Sequence, residues 1–86
     1  MKNTYFRTKS FKIARFLYAK NFVLANIDKI PNPRKATFVF IESPEIGELL
    51  EVFNFGEENA PEIMVDARKL MRAEEELKDK LYQDEF

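Results

Sequence analysis

The spacing of apolar and polar residues changes along the chain and predicts helices alternating with strands. Three stretches have apolar residues one helical turn apart and predict helices, at 11–21, 44–55 and 67–82. Three shorter runs of β-branched, aromatic or alternating residues predict strands, at 4–8, 22–30 and 37–41. A fourth, short edge strand is expected at 62–65.

Capping residues mark the ends of the predicted helices. Thr8 or Ser10 is suited to cap the first helix, Ser43 the second and Asp66 the third, because their side chains accept from unpaired backbone N–H groups. Gly56 is expected to end the second helix by adopting a left-handed conformation.

Each helix is expected to bury one face. Those faces are Ile13, Ala14, Leu17 and Tyr18; Ile46, Leu49, Leu50 and Phe53; and Ala67, Leu70, Met71, Leu77 and Leu81. On the third helix, Glu74 with Lys78 and Glu76 with Lys80 have the spacing of ion pairs, each worth about 0.2–0.5 kcal/mol.

The predicted strands favour an antiparallel sheet. Val23, Ala25 and Ile27 alternate onto one face of the second strand, and the prolines of 31–35 predict a turn. The run 37–41 is apolar on both faces, which is typical of a central strand, and should pair with 22–30 as a hairpin. The expected fold is α+β: a small, mostly antiparallel sheet of three or four strands covered by helices, in the order β-α-β-β-α-(β)-α.

Composition excludes most catalytic chemistry. The 86 residues predict one small domain, 1–86, with a frayed tail at 83–86. The absence of cysteine and histidine excludes disulfides, thiolate zinc sites and histidine-assisted nucleophiles, and two glycines are too few for a phosphate-binding loop. We expect no catalytic residues, no metal and no cofactor. No apolar run has the length of a signal peptide or membrane span, so we expect a cytoplasmic protein without membrane contact.

Carboxylates are the only abundant groups with catalytic potential. Glu45, Glu48 and Glu51 recur every three residues on the second helix, where they either hold a hard cation or form a solvated face; we favour the solvated face. Glu76 and Lys78 have the Glu-x-Lys spacing of metal-dependent nucleases, but a helix does not bring them together on a metal.

Charge is distributed unevenly along the chain. Residues 1–35 carry nine basic and one acidic side chain, whereas 36–86 carry five basic and fourteen acidic ones. Either the two halves pack together and neutralise each other, which we favour, or the basic half contacts nucleic acid or an acidic partner. The candidate contact residues are Lys9, Lys12, Arg15, Phe16, Lys20, Arg34 and Lys35. In the nucleic-acid interpretation the lysines and arginines follow the phosphates and Phe16 stacks on a base; otherwise Phe16 packs against a second part of the protein.

The chain resembles a known family along nearly its whole length. The residues that carry the resemblance are Tyr5 to Ser10, Ala14 to Leu17, Asn21-Phe22, Phe38 to Phe40, Asp66 to Leu70 and Leu81-Tyr82. The family comprises short bacterial and phage proteins, often found near mobile elements, and is classed as a domain of unknown function. The resemblance implies a small cytoplasmic protein and carries no catalytic residues.

The aromatic content indicates protein contacts. Nine phenylalanines and three tyrosines either form a dense core or leave an apolar patch for a partner or a second copy of the chain. The favoured hypothesis is therefore a non-catalytic intracellular binding or regulatory protein that acts through protein contacts, with a homodimer as one form. The alternative is an accessory nucleic-acid-binding protein that uses the basic first helix and the hairpin tip.

Overall fold

The computed structural model describes residues 4–29 and 35–82. Three strands and three α-helices follow one another in these ranges: β1 (Tyr5–Thr8), α1 (Phe11–Ala19), β2 (Leu24–Asp28), β3 (Thr37–Ile41), α2 (Pro44–Phe55) and α3 (Ala67–Tyr82). The predicted α+β class is confirmed. The predicted turn at 31–35, apart from Lys35, and the predicted frayed tail at 83–86 lie outside the described residues.

The sheet has three antiparallel strands in the order β1-β3-β2. Strand β3 is central, as its apolar character predicts, and pairs with β1 on one side and β2 on the other. Phe38 and Phe40 are buried in one core with apolar residues from all three helices, whereas Val39, between them, points to the opposite face. The helices therefore cover one face of the sheet.

Strand β2 departs from the predicted alternation. A β-bulge interrupts its register between Leu24 and Asn26, so that Leu24 pairs with Phe40 and Ile27 with Phe38. Because the bulge adds one residue, Leu24 and Ile27 both pack against the core although they are three positions apart. The prediction that Val23, Ala25 and Ile27 share one face is wrong for this reason: Val23 is 59% exposed.

Helix α1 lies at the centre of the fold. Its buried residues are Ala14, Phe16, Leu17 and Ala19. They occupy more of the circumference than the predicted stripe does, because the helix contacts the sheet, α2 and α3. Ser10 caps the helix: its side-chain oxygen accepts from the backbone N–H of Ile13 at 3.2 Å, and Thr8 accepts from the N–H of Ser10.

The end of α1 is closed by a Schellman motif. The N–H of Phe22 donates to the carbonyl of Leu17 at 3.1 Å, and the N–H of Asn21 donates to that of Tyr18 at 3.0 Å. Asn21 has a φ of 73°, the left-handed conformation that this motif requires at the residue after the helix cap. Phe22 then packs against the core and directs the chain into β2.

Helix α2 begins as predicted and ends differently. Ser43 accepts from the N–H of Glu45 at 3.2 Å, which confirms the cap. Gly56 ends the helix with φ of −79° and ψ of 177°, so the left-handed conformation predicted there is wrong. A Cβ atom on Gly56 would lie 2.6 Å from the carbonyl oxygen of Val52. Close backbone approach, and not a positive φ, therefore accounts for glycine at this position.

The segment before α3 is a single 3₁₀ turn, Pro61–Ile63. The predicted edge strand at 62–65 is therefore wrong: Pro61 begins the turn, and the N–H of Met64 donates to the Pro61 carbonyl at 3.2 Å. Asp66 caps α3 as predicted, accepting from the N–H of Arg68 at 2.7 Å. The inner face of α3 consists of Ala73, Leu77 and Leu81 with the half-buried Leu70.

Two residues of the predicted inner face of α3 are on its outside. Met71 is 67% exposed, and Ala67 is exposed in the first turn. The prediction was wrong because the buried stripe follows Leu70, Ala73, Leu77 and Leu81 at three- and four-residue spacings, and Met71 lies about 100° around the helix from Leu70.

The left-handed conformation of Asn21 predicts an order of stability among variants. Asn21→Gly should match or exceed the wild-type free energy of unfolding, whereas Asn21→Ala should lose about 1 kcal/mol, because a Cβ without a compensating side-chain polar group is disfavoured at positive φ. Urea denaturation measures the difference. Asn54→Ala is the matched control, because Asn54 is exposed inside α2 and alanine favours a helix. A loss in the control as large as that at Asn21 would contradict the explanation.

Candidate interaction surfaces

Only some of the basic residues predicted from the first half are exposed. Of the predicted contact residues within α1, only Lys12 is exposed. Lys9, just before the helix, and Lys35, before β3, are also exposed. Arg34 lies outside the described residues.

Arg15 is held by an ion pair between helices. Its Nη1 lies 2.7 Å from Oε1 of Glu74, and Nζ of Lys78 lies 3.1 Å from the other Glu74 oxygen. The hydrogen bonds from Arg15 and then Lys78 lower the pKa of Glu74 below its ordinary value. The predicted Glu74–Lys78 pair is confirmed, and Glu74 additionally connects α3 to α1. Arg15 is thus engaged within the protein.

Tyr18 and Lys20 also contact other parts of the chain. The Tyr18 hydroxyl donates to Oε1 of Glu76 at 2.8 Å, and this hydrogen bond, followed by burial, raises the pKa of Tyr18. Lys20 Nζ donates to the carbonyl oxygen of Met64 at 2.8 Å. Where the structure is described, no ion pair joins Glu76 to Lys80, so that predicted pair does not form.

Phe16 is a core residue. It is 3% exposed, and its ring stacks on that of Phe53 with the centroids 4.5 Å apart and an interplanar angle of 29°. A base has no access to this ring. The stacking role in the nucleic-acid interpretation is therefore wrong for Phe16, and packing against a second part of the protein is what the structure shows.

Acidic charge is concentrated on α2 and the loop that follows it. Residues 42–66 contain eight carboxylates and no basic residue. Glu45, Glu48 and Glu51 are exposed along α2, as a solvated face requires. In the described part of this region, only Asp66 forms an ion pair, with Arg68 at 3.6 Å. The basic half is therefore joined to the acidic half through the ion pair between Arg15 on α1 and Glu74 on α3. The carboxylates of α2 face solvent.

These carboxylates do not assemble into a metal site. Within residues 4–29 and 35–82, no three carboxylate, histidine or cysteine side chains lie close enough together to hold a metal ion.

The open face of the sheet exposes apolar side chains. Tyr5 and Ile41 pair across β1 and β3, and each is 41% exposed. Val23, whose carbonyl accepts from the N–H of Ile41, is 59% exposed. The guanidinium of Arg7 lies 5.9 Å from the centroid of the Tyr5 ring. We call the residues Tyr5, Arg7, Val23, Val39 and Ile41 the open-face patch.

The sequence favoured an exposed apolar patch and a dense core equally and did not locate such a patch on the sheet, although a signal for this location was present. The run 37–41 is apolar on both faces, but the three helices cover only the face that carries Phe38 and Phe40. Part of the opposite face is consequently left in contact with solvent, which accounts for the exposure of Ile41, whereas Val39 on the same face is only 7% exposed.

Comparison with known proteins identifies the family to which this chain belongs. Residues 3–83 match the family model described as a domain of unknown function, DUF5659. The chain belongs to this family. No curated protein and no solved structure matches the chain. Among the residues that the structure describes, no helix of this DUF5659 protein combines the length and apolar character needed to cross a membrane.

The lowered pKa of Glu74 predicts a pH dependence of stability. The ionised carboxylate stabilises the folded state fully above its ordinary pKa of 4.5, and this contribution is lost as the pH falls through the lower folded-state value. Thermal melts of wild type and Glu74→Gln should therefore differ most near about pH 7 and converge as the pH falls below that ordinary pKa.

Glu75→Gln is the control for this measurement. Glu75 is exposed and, in the part of the chain that the structure describes, forms no ion pair. Its substitution should leave the difference from wild type nearly independent of pH. A Glu74→Gln difference that is equally constant would contradict the role assigned to the Arg15–Glu74 pair.

Proposed function

We propose that this DUF5659 protein is a non-catalytic, cytoplasmic binding protein that acts through protein contacts, with the open-face patch as the contact surface. The observation that carries this proposal is the exposure of Tyr5, Val23 and Ile41 side by side on a three-stranded sheet. Single exposed apolar residues are ordinary, whereas neighbouring ones on adjacent strands favour a covering partner.

The composition of the patch supports a protein partner. Tyr5 and Arg7 belong to the residue types enriched at protein interfaces, and their side chains already lie against each other. The central Val39, which pairs with Arg7 and Asn26, is only 7% exposed and is therefore already packed. Its side chain loses little conformational entropy when a partner covers the patch.

The alternative function, nucleic-acid binding, retains less support. Phe16 is buried, and Arg15 and Lys20 are engaged inside the protein. The remaining exposed candidates, Lys9, Lys12 and Lys35, share the molecule with the acidic surface of α2, which repels phosphates.

We extend the proposal to the origin of the protein. The resemblance to short bacterial and phage proteins near mobile elements supports a regulatory protein carried by such an element. A second copy of the chain is one partner that the open-face patch would accept, since twofold symmetry would place each patch on its counterpart.

Site-specific photocrosslinking tests the contact surface. With a photoreactive amino acid at position 41, irradiation of the source cells should give a protein adduct, because Ile41 lies in the patch. The same label at position 48 is the control, since Glu48 is exposed on the outer face of α2.

The adducts distinguish the outcomes of this experiment. An adduct twice the mass of the chain identifies a homodimer, and any other discrete protein adduct identifies a heterologous partner. Either adduct supports the proposal if it is lost in Val23→Lys, a variant that adds charge to the patch. Equal labelling at positions 41 and 48 would reject the patch as the contact surface.

A salt titration tests the alternative. Labelled single- and double-stranded DNA and RNA should show no binding beyond weak, sequence-independent association at about 50 mM salt, because few of the candidate basic residues are exposed and the carboxylates of α2 repel phosphates. Binding that falls steeply with salt and disappears in Lys9→Glu/Lys12→Glu would replace protein contacts with nucleic-acid binding as the proposed function. Glu48→Gln serves as the control for a change of surface charge elsewhere.

A further inference from the structure

A cavity of about 270 Å³ lies on the helix-covered side of the sheet, away from the open-face patch. Three segments that are distant in the sequence form it: the start of α1, the start of β3 and the end of α3. Six of its seven described lining residues separate into an apolar set and a cationic set, and each set restricts the chemistry of a ligand; the seventh, Tyr82, is exposed at the end of α3.

The apolar set forms the floor. The rings of Phe11 and Phe38 meet edge to face with their centroids 5.9 Å apart. Phe38, Ala36 and Leu81 are 2%, 4% and 7% exposed, so the core holds them in place and the floor is preformed. An edge-to-face aromatic pair favours a third ring or a compact aliphatic group against it.

The cationic set consists of Lys9 and Lys78, and the described residues that line the cavity include no carboxylate. Lys78 is positioned by its ion pair with Glu74 at 3.1 Å. Lys9 forms no ion pair with any described residue, so no described carboxylate offsets its charge. Phe11 is the first residue of α1, and the positive end of that helix dipole therefore adds to the potential at the cavity.

We propose that this cavity binds a small carboxylate attached to one ring or one branched aliphatic group. The apolar group lies on Phe11 and Phe38, and the carboxylate is bound by Lys9. The volume lies just below the range of about 300–1,000 Å³ typical of drug-sized ligand pockets, which restricts the ligand to a compact molecule. Two sources provide this chemistry: a free organic acid and the terminal carboxylate of a polypeptide that ends in an apolar residue.

NMR titration of the full-length protein with 3-phenylpropionate tests the proposal. The backbone amide signals of Phe11, Ala36 and Phe38 should shift and saturate with a Kd on the order of 1 mM, as expected for a ligand of this size. The uncharged analogue 3-phenylpropionamide should bind at least about fivefold more weakly, because it lacks the charge that Lys9 recognises. Equal binding of acid and amide would reject the cationic site.

Matched lysine variants locate the charge. Lys9→Met should weaken 3-phenylpropionate binding about three- to tenfold, since it removes the charge and keeps the aliphatic length. Lys12→Met is the control, because Lys12 is exposed on α1 and does not line the cavity. A loss of affinity that is the same in both variants would indicate attraction by overall charge and would overturn the site.

Two further measurements separate the sources. Acetyl-Gly-Phe, compared with its C-terminal amide, tests whether the cavity binds the end of a polypeptide. If acetyl-Gly-Phe binds better than its amide and better than 3-phenylpropionate, the cavity is assigned to a peptide. If acetyl-Gly-Phe binds more weakly than 3-phenylpropionate, the cavity is assigned to a free acid. The full-length variant Asp84→Asn/Glu85→Gln/Phe86→Ala should bind 3-phenylpropionate as the wild type does. Markedly tighter binding by this variant would assign the cavity to residues 83–86 and overturn the proposal.

These experiments are independent of the proposed contact surface. Val23→Lys, which disrupts the open-face patch, should leave 3-phenylpropionate binding unchanged, because Val23 lies outside the cavity lining. Failure of one proposal is therefore distinguishable from failure of the other.

Discussion

The packing of α1 on three sides is the constraint on which the rest of the structure depends. A chain of 86 residues has little apolar surface to bury, and this short helix contributes to contacts with the sheet, with α2 and with α3. Ala14 and Ala19, at 0% and 4% exposure, allow close approach, while Phe16 reaches Phe53 on α2. Removal of a ring such as Phe16 from a core typically costs about 3–5 kcal/mol, a large part of the stability of a domain of this size.

The position of α1 also determines which of its charged side chains face solvent and which pair within the protein. A helix packed on several sides has few solvent-facing positions, so Arg15 is only half exposed and requires an acidic partner. Glu74 provides that partner and accepts from Lys78 at the same time, which joins α3 to α1 by polar contacts in addition to apolar ones. Part of the basic half of the sequence is thus engaged in contacts within the fold, and among its described residues Arg7, Lys9, Lys12 and Lys35 are exposed for other contacts.

The predictions that succeeded depend on local chemistry. Ser10, Ser43 and Asp66 cap helices because a side-chain oxygen satisfies backbone groups two or three residues away, and a sequence displays that distance directly. The predictions that failed depend on distant neighbours. Whether Phe16 or Met71 is buried is decided by which helices lie beside it, and periodicity alone does not contain that information.

The bulge in β2 shows the same limit at the level of the backbone, whereas the conformation of Gly56 shows that one residue type at a helix end can have more than one physical reason. The bulge lets both Leu24 and Ile27 reach the core, and this advantage exists only once β3 presents Phe38 and Phe40 opposite them. At Gly56, close contact with Val52 requires the absence of a side chain, whereas sequence rules associate a terminal glycine with positive φ. At both sites the sequence predicted the feature itself, a strand that reaches the core and a glycine that ends a helix. The physical reason for each feature is visible only in the structure.

The candidate sites could be predicted only in part for a related reason. The sequence identifies Lys9 and Lys12 as basic, but it does not show that one lines a cavity and the other does not, because the cavity walls come from residues 9–11, 36–38 and 78–82. The open-face patch arises because the fold has two layers, the sheet and the helices on one side of it. No described helix packs on the other side, where Ile41 is exposed.

Strand β3 separates these roles by the alternation of its side chains. Phe38 faces the helices, where it belongs both to the core and to the floor of the cavity, so its substitution would disturb stability and ligand binding together. Ile41 faces the other way and contributes to the open-face patch without belonging to the core. Substitutions at Ile41 can therefore change that surface without altering the packing around α1, so that the two faces of one strand are subject to different constraints.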